Sequence, residues 1–192
     1  MAKRPSKSQR KAPDNFTFYT FAALRHGAES LYSSATEHPD GSGYCRLSAV
    51  LFSAFSIEAY LNFIGEELVS NWATTERTMS WKDKLKLIGK TVGVKVDFGK
   101  PPFDSIRTMF HFRDKLAHGR THSGRAKADQ DLTPDWLAQF KTDASVRKVL
   151  DDARSVVDSL HAKSGLERPV GVIASGAIIS PTRKKPQATK RR

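Results

Sequence analysis

The stretch FRDKLAHGR, residues 112–120, holds three side chains whose types and spacing can do chemistry. Arg113 carries a permanent planar cation that can grip an oxyanion through two parallel N–H bonds. His118 can take or give a proton near neutral pH. Asp114 and His118 stand four apart, which puts them on one face of a helix. A carboxylate neighbour and the negative end of a helix both favour the imidazolium, although a histidine at that end also serves simply as a cap. Arg113 and His118 are five apart, about 140° around an ideal helix, so spacing alone does not bring them together.

Two apolar stripes each contain one charge. Phe103, Ile106, Phe110 and Ala117 share a face, and Arg113 falls on it. Leu47, Leu51, Ala54, Leu61 and Gly65 share another, with Glu58 in its middle. An unpaired buried charge is costly, so the simplest expectation is a bidentate guanidinium–carboxylate contact between Arg113 and Glu58. The same pattern fits a structural ion pair, an arginine that snorkels to solvent, or a catalytic arginine.

These side chains must be positioned by helices. Pro101 and Pro102 open the helix that carries Arg113, and Gly119 follows its end. The helix that carries Glu58 spans roughly 44–71 and is apolar on nearly every side, which predicts the centre of a bundle. Ser53, Ser56, Glu58 and Asn62 interrupt the run, which favours a core helix over a membrane span.

Around these two, Asp14 or Asn15 is expected to cap a first helix through Phe21, Leu24, Ala28, Leu31 and Ala35, and HPDGSG at 38–43 breaks it. Ser80 with Asp83 forms a capping-box start for a helix that turns Leu85 and Ile88 inward. Residues 91–102 form a connector in which alternating valines suit a short extended piece. After a polar loop at 121–132, Thr133 and Pro134 start a short helix around Trp136. A last amphipathic helix runs through Val146, Val149, Ala153, Val156 and Leu160. The expectation is an all-α, up-and-down bundle of five to six helices, with no convincing strand pair and no internal repeat.

With 192 residues, 39% apolar and 27% charged, the chain has the balance of one soluble domain. Its net charge of +12 is unevenly spread. Residues 1–12 hold five basic and no acidic groups, and residues 164–192 carry a net +6. Subtracting both leaves residues 13–163 near +1. Residues 1–13 and 164–192 are therefore expected to be basic, largely disordered tails around a domain at 14–163. Such tails either solubilise or attract polyanions. Within the second, VGVIASGAII at 170–179 is too short to span a bilayer as a helix and suits a short strand or a docking peptide.

A single Cys45 rules out an internal disulfide and points to a reducing, cytoplasmic setting, and no secretory signal is visible. No metal-ligand spacing, P-loop, GxSxG elbow, HExxH or dinucleotide turn occurs, so no cofactor or metal is expected. His26, His38, His111, His122 and His161 are scattered and expected to face mostly solvent, with no second histidine site.

Arg113-Asp114-Lys115-Leu116-Ala117-His118 resembles the Arg-x4–6-His motif of HEPN domains, in which a polar residue follows the arginine and His-Gly often closes the motif. AFSIEAYLNFIGEEL at 54–68 is similar to the acidic and aromatic second helix of that superfamily, and WKDKLKLI at 81–88 to its next short helix. The resemblance covers roughly residues 16–163. It implies a metal-independent endoribonuclease acting on single-stranded RNA, often a toxin or phage-defence effector, and a homodimer that pairs two motifs across its interface. In that scheme Arg113 binds and polarises the scissile phosphate, and His118 is the general acid or base. Asp114 orients the site, standing where asparagine is commoner, and Glu58 holds Arg113. Arg120 and His122, just past the motif, are candidate RNA contacts. No nucleotidyltransferase signature occurs here, so an antitoxin-like partner would be a separate protein. The alternative is a non-catalytic helical module that binds nucleotide, RNA or protein.

Overall fold

A helix that is apolar on nearly every side is stable only when other helices surround it. The computed structural model describes residues 16–119, 121, 133–167, 172–174 and 177–181, and among them that demand is met by an all-α bundle. In chain order the helices are α1 (Thr20–Glu37), α2 (Gly43–Leu68), α3 (Trp72–Thr75), α4 (Trp81–Val92), α5 (Phe103–Ala117), α6 (Asp135–Ala138) and α7 (Asp143–Ser164). A 3-10 turn, Glu76–Thr78, joins α3 to α4. Five of these helices are long. The single-turn α6 lies at the expected short helix around Trp136, whereas α3 and the 3-10 turn have no counterpart in the sequence-based expectation.

The central α2 packs against α1, α4, α5 and α7. It is long and apolar enough by composition to cross a membrane, and half of its most apolar window is buried inside the bundle. Val50, Ala54, Leu61 and Ile64 are fully buried. On α7 the expected stripe of Val146, Val149, Ala153, Val156 and Leu160 is buried against it. Ser80 caps α4 by accepting from the Asp83 N–H at 3.2 Å, and Leu85 and Ile88 face inward as the capping box implied.

Ion pairs at the rim fix α7 in place. Arg147 meets Glu29 of α1 at 2.7 Å and Asp151 at 2.5 Å, and Arg46 of α2 meets Asp143 at 2.6 Å. The hydrogen bonds that Arg147 donates to Glu29 are the main reason its guanidinium is held further into its charged form, with the one to Asp151 second.

A small sheet departs from the expected all-helical pattern. Strands β1 (Phe16–Phe18), β2 (Val172–Ala174) and β3 (Ala177–Pro181) pair antiparallel in the order β1-β3-β2. Phe16 lies opposite Pro181, and Val172 opposite Ile179. Part of the expected C-terminal tail is thus paired, and of the two readings of residues 170–179 the short strand is the one observed. Because Phe16–Phe18 is extended, α1 starts at Thr20, with Tyr19 in the cap position, rather than after Asp14 or Asn15. Those two residues and the segments 1–13 and 182–192 lie outside the described residues. Residues 94–99 form no strand among the described residues.

Gly65 of α2 lets the Trp72 indole lie directly against the helix. A Cβ there would overlap Cε2 of the buried Trp72 indole. Helix propensity alone would make Gly65→Ala favourable by about 1 kcal/mol. Overpacking at a buried ring costs about 1–3 kcal/mol and should win. The expected outcome is a lower melting temperature by circular dichroism together with a shifted tryptophan emission. A melting temperature equal to or above the parent's would show that the indole has room to move.

Candidate functional site

The core side of α5 is built from Phe103, Ile106, Met109, Phe110 and Phe112, all buried. One turn later the packing runs out: Leu116 is 42% exposed and Ala117 is exposed as well. Ala117 therefore does not join the core as its place on the stripe suggested. Periodicity gives the side a residue faces, whereas burial also requires a neighbour at that height. Arg113 sits at this boundary, on the core side but at the edge of the packed region.

The expected pair forms there, but through one guanidinium nitrogen rather than as a bidentate contact, because Asp114 takes the other two. Arg113 Nη1 donates to Glu58 Oε2, which reaches across from α2. Nε and Nη2 both donate to Asp114 Oδ1, at 3.1 and 2.8 Å. All three guanidinium nitrogens are thus engaged by two carboxylates. The guanidinium carbon also lies 4.7 Å from the centre of the Phe110 ring, which stacks on Trp81 at 4.1 Å and 9°. The pair is not deeply buried: the Arg113 side chain is 19% exposed and that of Glu58 34%.

His118 is the C-terminal cap of α5, its N–H donating to the Asp114 carbonyl at 2.9 Å. Its side chain is exposed and, among the described residues, makes no hydrogen bond or ion pair. The expected Asp114–His118 contact does not form, because the Asp114 carboxylate turns to Arg113 instead. Within one chain, Arg113 and His118 stay on different sides of α5, as their spacing indicates. Arg120 and His122 lie outside the described residues. His161 was expected at the surface but is buried, with Nδ1 3.3 Å from the Tyr60 hydroxyl.

Two further arrangements leave no mark in the sequence pattern. On α5 and α7, Lys148 Nζ donates to Ser105 Oγ at 2.8 Å and to Asp152 at 2.6 Å, while Ser105 donates to Asp152 at 2.5 Å. The bond to Asp152 pushes the Lys148 ammonium above its ordinary range, which keeps it protonated. A protonated lysine cannot take a proton from Ser105, so this trio is a clamp between helices and not a nucleophile with its base. The second arrangement is a groove of about 360 Å³ between α4 and α5. Trp81 and Lys82 form one wall, and Arg107, Thr108, His111 and Asp114 the other, with Gln139 closing one side. Among the described residues no group of three His, Cys, Asp or Glu side chains is placed to hold a metal ion.

Compared with known proteins, the chain matches no family model, no curated protein and no solved structure.

Partial exposure sets the energetic weight of the Glu58–Arg113 contact. Exposed pairs contribute about 0–1 kcal/mol, and breaking a buried one costs about 3–5 kcal/mol. Glu58→Ala should fall between, at about 1–2 kcal/mol by urea denaturation, because Asp114 and solvent still serve the guanidinium. A loss above about 3 kcal/mol would show that Arg113 depends on Glu58 alone.

Proposed function

We propose that the chain is a metal-independent endoribonuclease that cleaves single-stranded RNA as a homodimer, as its resemblance to HEPN domains implies. The observation that carries this reading is the setting of Arg113. It is tied by Glu58 to the central helix at the point where the core side of α5 loses its cover. Leu116, one turn past Arg113, and Phe55, one turn before Glu58, are exposed at 42% and 40%. A second copy that covered these apolar residues would bring two motifs to one cleft, where Arg113 of one chain and His118 of the other could meet.

In such a cleft the two carboxylates have different parts. Glu58 holds Nη1 from a helix that cannot shift easily. Asp114 is 49% exposed and holds Nε and Nη2, the edge a phosphate would need. A phosphodiester competes with Asp114 for that edge while Glu58 keeps the guanidinium aimed. The ribose 2′-oxygen forms a bond to phosphorus as the bond to the 5′-oxygen breaks. One proton leaves the 2′-hydroxyl and one is delivered to the 5′-oxygen, with His118 as the group that moves a proton. The products are a 2′,3′-cyclic phosphate and a 5′-hydroxyl.

A second reading is favoured by the same geometry within one chain. Three guanidinium nitrogens already satisfied by carboxylates describe a structural pair, and a helical binding module would need nothing more. Cleavage assays on purified protein separate the two. The enzyme reading expects cleavage that persists in EDTA, yields cyclic-phosphate ends, and drops about 10²–10⁴-fold in His118→Ala with the helical spectrum unchanged. Cleavage unaffected by His118→Ala would belong to a contaminant, and inactivity on every RNA tried would favour the binding module.

A further inference from the structure

The solvent side of α5 repeats at intervals of four, three and four. Arg107, His111, Asp114 and His118 fall within about 60° of one another around the helix axis. The first three line the groove against α4, and His118 caps the helix one turn beyond Asp114. Its volume of about 360 Å³ is in the range, about 300–1,000 Å³, that takes small ligands.

Several cations of the bundle are already committed to ion pairs. Arg46, Arg113, Arg147 and Lys148 each hold a carboxylate. Lys82 and Arg107 are exposed on the two facing walls, and among the described residues neither has a carboxylate partner. Lys82 does lie 5.5 Å from the centre of the Trp81 ring. Lys82 and Arg107 thus line the groove from α4 and from α5, and cations on two walls suit an anion such as phosphate. At the other end, Asp114 spends Oδ1 on Arg113, so Oδ2 is the oxygen left to accept. Gln139 donates through Nε2 to the Trp136 carbonyl at 2.8 Å, which leaves its side-chain oxygen to accept. This end of the groove is therefore rich in acceptors and suits a hydroxyl donor.

We propose that the groove seats the nucleotide neighbouring the cleaved bond in single-stranded RNA, with its phosphate between Lys82 and Arg107 and its ribose hydroxyl at Asp114 and Gln139. The placement next to a cleaved bond rests on the ribonuclease reading above. Trp81 is 8% exposed and already stacked on Phe110, so it offers no open face for a base. Recognition is then of phosphate and sugar, with little base preference and with RNA favoured over DNA through the 2′-hydroxyl.

The test uses a fluorescently labelled short single-stranded RNA, with His118→Ala as the parent so that the RNA stays intact. Binding is followed by anisotropy over a series of salt concentrations. Lys82→Ala with Arg107→Ala should weaken binding about tenfold or more and lower the log–log salt slope by about 0.7 for each phosphate that is no longer neutralised. Arg77→Ala with Lys95→Ala removes the same charge from exposed positions outside the groove and should do much less. Equal effects of the two double variants, no effect of the first, or no RNA binding by the parent would overturn the proposal. The wild-type chain is assayed for cleavage in parallel. RNA affinity that depends on the groove without any cleavage would sink the ribonuclease reading and leave the RNA seat standing. Cleavage and binding that ignore Lys82 and Arg107 would do the reverse.

Discussion

A 26-residue helix with apolar side chains around most of its circumference can be stable only if it is enclosed, and α2 imposes that constraint on everything else. Helices α1, α4, α5 and α7 take their places by covering it, and their inward faces are dictated by what α2 leaves uncovered. Glu58 stands in the middle of this helix, a carboxylate among mostly apolar side chains. Its position calls a cation to the edge of the core, and Arg113 supplies one.

The site follows from where that cover stops. Had α5 ended with its last buried residue, Phe112, the motif residues would lie beyond the helix. Because α5 continues to Ala117, Arg113 is half anchored and half open, and His118 is carried out into solvent at the helix end. Asp114 belongs to both sides of the helix at once, closing the ring around Arg113 while lining the groove that runs back toward Arg107. The electrostatics of motif and groove are therefore joined through one carboxylate. A ligand that drew Asp114 from Arg113 would alter both.

Much of this was legible in the sequence because it depends on local periodicity. The buried stripe of α7, the Ser80–Asp83 cap and the meeting of Glu58 with Arg113 all follow from which side of a helix a residue occupies. What escaped depends on position along the axis or on partners far away in the chain. Ala117 has the right side but no neighbour at its height. Phe16–Phe18 looked like the start of a helix because its partner, β3, lies near the other end of the chain and the register of a short strand leaves little local trace. His161 is buried because Tyr60 of α2 lies opposite it, which no pattern within α7 reveals. The groove left no signal within α5 alone, since only the approach of α4 makes a cleft of its solvent side.

The pairing of β1 with β3 has a topological consequence. Phe16 opposes Pro181, so the chain before β1 and the chain after β3 depart from the same end of the sheet. Residues 1–12 bring five basic groups and residues 182–192 six, with no acid in either. The strands thus root two stretches of positive charge, far apart in the chain, at one end of a single sheet.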